Sequence, residues 1–333
     1  MRISVTIPAY NASRHIEQTL DSIMAQRRQP DEVIVCDDGS CDDTASIAAR
    51  HPIGAKVIRR ENAGVSAARN DTIEMATGDL IANMDADDLW HVDYLWRVEE
   101  AFEQYPDARL VFTRYWPFLE GHRPPSQDEA DDAADTEIKE FDLAGYLSFD
   151  RKGLPVLPSF SVMKRDDLQT FGARPYLETH RCGENLLVHP LLAAMGRSCC
   201  IMARLGRYRM HAQSITADEV QSARWMAKVV GDMMVRAEAM GFDEESVSEL
   251  SRYSASWLNM AGRRLGGAGF RREARRSFSR GWKLGGGLTS LKYLLASYIK
   301  AMDSRLWCEA WRPLESSRSS NPLLGMDDLV QAR

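Results

Sequence analysis

Four short apolar runs, each divided from the next by a stretch of helical periodicity, constrain this chain more than any other feature. Arg2-Ile3-Ser4-Val5-Thr6-Ile7, Glu32-Val33-Ile34-Val35-Cys36, Lys56-Val57-Ile58-Arg59 and Leu80-Ile81-Ala82-Asn83-Met84 are strand-length and rich in β-branched residues. Between them Ile16, Leu20, Ile23 and Met24 recur at helical spacing, a second helix is expected from Asp42 to Arg50, and a third from Gly64 to Ala76. On that third helix Val65, Ala68, Thr72, Met75 and Ala76 share one side. Strands joined by helices of this length build βαβ units, so the fold class is α/β, a mostly parallel sheet flanked by helices.

In such sheets ligands collect beyond the carboxyl ends of the strands. Here three polar groups stand there: Tyr10-Asn11, Asp37-Asp38 before the turn at Gly39, and Asp85-Ala86-Asp87. Residues at i and i+2 of an extended segment share a face, so Asp85 and Asp87 point the same way. Paired carboxylates repel each other, and a hard divalent cation, Mg2+ or Mn2+, relieves that while keeping positions for phosphate oxygens. The plainer reading is a solvated acidic turn ahead of a helix starting near His91. No G-x-G-x-x-G follows the first strand and no P-loop motif occurs, so dinucleotide and P-loop chemistry lose their main marker.

Charge and cysteines narrow the partners. Across 333 residues, 42 basic against 48 acidic side chains leave a net −6, which does not point to nucleic acid. The six cysteines, Cys36, Cys41, Cys182, Cys199, Cys200 and Cys308, form no C-x-x-C and no zinc spacing, so reduced thiols are expected. The N-terminal apolar run is too short for a secretory signal and no stretch approaches the ~20 apolar residues of a membrane span. A cytoplasmic protein is the expectation.

Val5-Thr6-Ile7-Pro8-Ala9-Tyr10-Asn11, Val35-Cys36-Asp37-Asp38-Gly39-Ser40, Asn62-Ala63-Gly64-Val65-Ser66-Ala67-Ala68-Arg69-Asn70 and Gly78 through Trp90 together resemble the family-2 glycosyltransferases of GT-A fold. The four blocks run in order over roughly the first hundred residues. The resemblance implies an enzyme moving a sugar from a nucleotide-sugar, a UDP-sugar above all, to a hydroxyl of a glycan or lipid-linked acceptor, with inversion. It implies that the backbone near Pro8 and the ring of Tyr10 hold the base, that Asp38 accepts from the uracil N3–H, and that Arg69 sits by base and pyrophosphate. Asp85 then lies near ribose and metal, and Asp87 is the direct metal ligand. Each residue also has a plainer reading: Tyr10 a half-buried aromatic at a turn, Asp38 an Asx-turn residue, Arg69 a surface partner of Asp71 or Glu74.

The resemblance next expects a Glu-Asp pair opening a helix, its Asp being the base toward the acceptor. Here Glu184-Asn185 stands instead, and the Asn185 amide takes no proton near neutral pH. Glu184 is the substitute base, or only a favourable charge at the helix start; Glu178 and His180 are in reserve. Tyr208-Arg209-Met210-His211-Ala212-Gln213-Ser214-Ile215-Thr216 resembles the family's closing segment, with His211 as a further metal contact and Arg209 near the diphosphate.

The middle of the chain reads less regularly. Arg109 to Thr113 and Leu157 to Met163 are expected strands, and the acidic stretch from Gly121 to Phe141 a solvated loop or lid. From Ala217 the chain is helical. Between Arg263 and Arg312 twelve basic residues face Glu273, Asp303 and Glu309, and Leu288, Leu291, Leu294, Leu295 and Tyr298 form an apolar stripe. A solvated helical surface and a peripheral contact with an anionic membrane face both fit. The expectation is thus a GT-A domain over residues 1–215 and a helical region over 216–333. A sugar nucleotidyltransferase and a non-catalytic nucleotide-sugar-binding relative are the rival readings.

Overall fold

The computed structural model describes residues 1–124, 135–152, 155–214 and 217–298. The chain divides into two compact units: residues up to Leu143 with Val156–Ser214, and Ala144–Pro155 with the chain from Ile215 onward. The boundary expected between residues 215 and 216 falls on two positions outside the described residues, as do Cys308, Pro125 and the acids Asp128, Glu129, Asp131 and Asp132.

The first unit is built in the expected order: β1 (Ile3–Ala9), α1 (Ile16–Met24), β2 (Glu32–Asp37), α2 (Thr44–Arg50), β3 (Lys56–Arg59), α3 (Val65–Met75) and β4 (Leu80–Asn83). All of β1 and β4 is buried, as befits parallel strands covered on both faces. Helix α1 buries Ile16, Thr19, Leu20 and Ile23, one stripe at helical spacing. Gly39 makes its turn at φ +77°, and a Cβ there would lie 2.8 Å from the Asn62 amide nitrogen.

Then come β5 (Leu89–Trp90), α4 (Tyr94–Gln104), β6 (Leu110–Leu119), β7 (Ile138–Phe141), α5 (Leu143–Lys152), β8 (Ser161–Lys164), α6 (Arg165–Gln169), α7 (Asn185–Met195) and β9 (Ser198–Met210). Among the described residues nine strands form one sheet ordered β3-β2-β1-β4-β8-β6-β9-β5, with β7 on β9. It is parallel from β3 to β4, whereas β8 runs antiparallel to both β4 and β6. The sheet is therefore mixed: strand–helix alternation ends after β4, and the later strands enter without a βαβ crossover between each pair. Two local expectations shift. Pro158–Phe160 is a 3-10 turn and β8 starts only at Ser161, and the end of the supposed 121–141 loop is β7.

The second unit is helical, with α5 from Ala144 onward, α8 (Glu219–Ala239), α9 (Glu244–Gly267), α10 (Arg271–Lys283) and α11 (Gly287–Ala296). Asp218 and Asp243 cap α8 and α9, accepting from the amides of Gln221 at 2.9 Å and Ser246 at 2.7 Å. Tyr253 donates to Asp150 at 2.7 Å inside the unit, and Arg224 grips both oxygens of Glu273 at 2.8 and 3.0 Å. Among the described residues no helix is long and apolar enough to cross a membrane. Cys36, Cys182, Cys199 and Cys200 are buried free thiols; burial pushes Cys36, Cys199 and Cys200 up to about 12.

One carboxylate ties the parallel strands together. Glu32 accepts from Ser4 Oγ at 2.7 Å, from the Thr77 amide and hydroxyl at 2.6 and 2.8 Å, and from Lys56 Nζ at 2.8 Å. Burial alone would raise its pKa, but these bonds hold it down to about 2, against 4.5 for an ordinary glutamate. With the folded pKa below the unfolded one, this stabilisation is complete above about pH 4.5 and is lost as pH falls toward 2. Glu32→Gln should cost about 1.5–3 kcal/mol at neutral pH. Urea midpoints of wild type and variant should converge through that acid window; a gap that stays constant down to its lower end would refute the assignment.

Candidate functional site

The carboxyl ends of β1, β2 and β4 form the expected rim. At the first, Pro8 is buried opposite Cys36, and Asn11 takes a left-handed backbone with φ +48°. Its side chain accepts from the Cys41 amide at 3.0 Å, and Tyr10 is left 54% exposed. At the second, the sharp turn belongs to Asp37, which accepts from the Ser40 amide at 3.2 Å and from Arg59 at 2.8 Å. Asp38 reaches farther. Its two oxygens accept from the amides of Ala63 at 3.0 Å and Gly64 at 2.7 Å, with Arg60 at 3.3 Å. Gly64, at φ +97°, presents its amide to Asp38 at the start of α3. Asp38 is thus the anchor of the segment leading into α3.

The third group is braced from four directions. The Asp85 amide donates to Ser159 Oγ at 3.0 Å, and the Thr19 hydroxyl lies 3.1 and 2.9 Å from the carbonyl oxygens of Ala86 and Asp88. Arg209 donates its Nε to the Asp87 carbonyl at 2.7 Å and its amide to Asp88 at 2.9 Å. Asp87 in turn meets His211 Nε2 at 2.8 Å. That bond raises the His211 pKa above its ordinary value, against the opposing effect of burial. Burial, with Asp87 and Asp85 close by, pushes the Asp88 carboxyl well above the ordinary range.

Between the rim and α7 lies a fully buried guanidinium. Arg69 Nη2 donates to Asp85 at 2.8 Å and to Glu184 at 3.1 Å, with the Tyr176 ring 5.7 Å away. Burial alone would lower its pKa; the two carboxylates more than offset that and hold it above its ordinary value. Arg69 Nε and Nη1 are buried with no hydrogen-bond partner. Neither surface alternative holds for this residue, because Asp71 pairs with Arg60 and Arg174, and Glu74 with Arg174.

The model of glycosyl transferase family 2 matches residues 4–172, about half of the chain. This chain belongs to that family. A region of 115 residues is 33% identical to the chondroitin synthase of Escherichia coli, 33% of this chain and 17% of that protein. Another of 117 residues is 40% identical to the amylovoran biosynthesis glycosyltransferase AmsB of Erwinia amylovora, 32% of this chain and 39% of that protein. The chain therefore spans well under half the length of these curated relatives. Among solved structures, S. aureus TarS in complex with UDP-GlcNAc superposes with a TM-score of 0.62 at 17% identity, over 90% of this chain and 89% of that one. The mannosyltransferase PcManGT from Pyrobaculum calidifontis, in complex with GDP-Man and Mn2+, gives 0.58 at 19% identity over 90% and 86%. These likenesses show the fold, GT-A.

The family-2 pattern and the structure part at α7. Glu184 precedes the helix, makes no capping bond and is buried with Oε1 on Arg69. Asn185 donates its amide to the Val156 carbonyl at 2.9 Å, fastening α7 to the strand-entry segment. Of the reserve candidates, Glu178 is paired with Arg174 and Asn70, and His180 is wholly buried, its backbone carbonyl accepting from Ser66 at 2.9 Å. The buried face of α3 also differs from expectation. Met75 is 39% exposed, while Ser66, Arg69 and Asn70 turn inward, because Ser66 and Asn70 have their partners in residues 176–184 and Arg69 has its own in Asp85 and Glu184. Sequence reasoning missed Thr19 and Tyr176, since neither carries a local motif and each acts across a long chain separation, and it gave Ser159 only as part of a segment returning to the site.

Asn185→Asp would set a carboxylate against the Val156 carbonyl instead of a donor. It is expected to lose about 1–3 kcal/mol at neutral pH, read from urea midpoints. The loss should shrink below pH ~4, where a protonated carboxyl can donate. A variant as stable as wild type at neutral pH would show that this bond carries no weight.

Proposed function

We propose that this chain transfers a sugar from a nucleotide-sugar, a UDP-sugar, to a hydroxyl of a glycan or lipid-linked acceptor, with inversion at the anomeric carbon. The observation that carries the reading is the meeting of Asp87, just past β4, with His211, just past β9, beside Asp85. Asp85 and Asp87 keep 34% and 29% of their side chains exposed, so both can receive a ligand. Among the described residues no cluster of three or more His, Cys, Asp or Glu closes on one point. That donor set fits Mn2+ or Mg2+ better as an ion completed by water and diphosphate oxygens than as one in an all-protein cage. Asp87, His211 and Asp85 would hold it, and when bound it would neutralise charge on the departing diphosphate. The complexes of TarS with UDP-GlcNAc and of PcManGT with GDP-Man and Mn2+ support a nucleotide-sugar donor and a divalent ion.

The remaining roles fall to the chain itself. Exposed Tyr10 offers a ring for the base to stack on, and the backbone near Pro8 at the end of β1 lines the same edge. Each Asp38 oxygen already accepts one amide and retains lone-pair capacity for a base imide N–H. The uridine preference rests on that residue. Arg69 Nη2 donates to both Asp85 and Glu184 and fixes the two carboxylates. With Oε1 so held, Glu184 keeps Oε2 to accept the acceptor's proton as its oxygen bonds to the anomeric carbon and the bond to the diphosphate breaks.

Two substitutions separate donor binding from transfer. Asp87→Asn should abolish the Mn2+-dependent part of UDP affinity in calorimetry while leaving the melting curve intact; undiminished metal-dependent affinity would overturn the metal assignment. Glu184→Gln should keep UDP affinity and slow UDP release from the bound UDP-sugar by ~10²–10⁴-fold in the presence of acceptor. A variant that melts lower yet transfers at the full rate would assign Glu184 to Arg69 alone.

A further inference from the structure

The pair α10 and α11 carries a surface that the transfer chemistry does not use. From Arg271 to Tyr298 there are seven basic residues and one acid, a local net of +6 in a chain whose total is −6. The single acid, Glu273, is already gripped by Arg224. Arg271, Arg272, Arg276 and Lys283 are exposed. The large apolar side chains beside them are exposed too: Trp282 at 49%, Leu288 at 84%, Leu295 at 60% and Tyr298 at 62%. Leu288, Leu291 and Leu295 on α11, and Tyr298 in the turn just past its end, recur every three or four residues, so they continue one stripe.

Packing joins the two helices into one surface. Ala274 and Phe278 face inward from α10, and the Phe278 ring lies 5.3 Å from that of Tyr293. Arg275 stacks 4.4 Å over the Tyr298 ring and donates to the Ser297 carbonyl at 2.8 Å, fastening the end of α11 beside α10. At the other end Trp282 and Lys283 stand a few residues before Leu288. An isolated exposed leucine is unremarkable, but an apolar stripe beside a helix carrying those four exposed cations is the pattern of a helix pair lying in a bilayer interface.

We infer that α10 and α11 dock the chain onto the surface of an anionic lipid bilayer. Arg271, Arg272, Arg276 and Lys283 meet the headgroups, while Trp282, Leu288, Leu295 and Tyr298 enter the acyl boundary. Charge complementarity selects this occupant. A second copy would bring +6 against +6 at a symmetric contact, and a nucleic acid would leave the apolar stripe without a use. The surface lies wholly within the helical unit and stands whether or not the transfer reading does.

The test is flotation of the full chain with vesicles of pure phosphatidylcholine and of phosphatidylcholine mixed with phosphatidylglycerol. Binding is expected only to the mixed vesicles and should weaken as salt is raised. Each exposed base near an anionic surface contributes about five-fold in affinity, so the triple variant Arg271→Gln, Arg272→Gln, Arg276→Gln should bind about 100-fold more weakly. Leu288→Ser with Leu295→Ser should weaken binding even at low salt, and unchanged melting curves would show that both variants are folded. No flotation with the mixed vesicles, equal flotation with both kinds, or affinity untouched by either variant overturns the inference. So does a dimer that Leu288→Ser with Leu295→Ser dissociates, or tighter binding to a single-stranded oligonucleotide than to the mixed vesicles.

Discussion

A single guanidinium, enclosed on every side, sets the terms for the first unit. Arg69 is fully buried, and a charge in that position is tolerable only when opposite charges lie against it. It therefore fixes two carboxylates at once: Asp85 past the end of β4 and Glu184 at the start of α7. Those segments come from chain positions 16 and 115 residues away from Arg69. Neighbouring polar groups on α3 follow the same logic. Asn70 exchanges hydrogen bonds with the Tyr176 backbone at 2.7 and 3.0 Å, and Ser66 reaches the His180 carbonyl. A helix that would otherwise be amphipathic becomes a polar spine, and residues 176–184 are shaped around it.

The acidic end of β4 depends on a second set of constraints. Three aspartates in four positions repel one another, and the structure answers with fixed donors. Ser159, Thr19 and Arg209 hold the backbone of this turn while Arg69 and His211 face its side chains. Arg209 is itself buried, with its guanidinium 4.7 Å over Phe118 and bonded to Gln18 at 2.8 Å. Its Nε also donates to the Asp87 carbonyl, which braces this turn. The turn is thus pre-shaped before any ligand arrives, which is the condition for binding energy to be spent on chemistry.

Much of this was legible in the chain. The strand–helix order from β1 to β4 follows from β-branched runs and helical spacing, because period and burial are local properties. The placement of Tyr10, Asp38, Asp85 and Asp87 on one rim follows as well, since a parallel sheet sends every strand's carboxyl end the same way. The family motifs lie within these local stretches, which is why they could be read in order from the residues alone.

What the chain could not disclose is where each side chain spends its hydrogen bonds. Asp38 holds the Ala63 and Gly64 amides, Asn185 is tied to the Val156 carbonyl, and Arg69 bridges Asp85 and Glu184 and not its helical neighbours. The mixed character of the sheet belongs here too, because β8 enters between β4 and β6 from far along the chain. Sequence determined the elements and the rim, for those rest on spacing within a few residues. Only the tertiary structure decided the pairings, because a buried polar group takes whichever partner the packing brings to it, however distant in the chain.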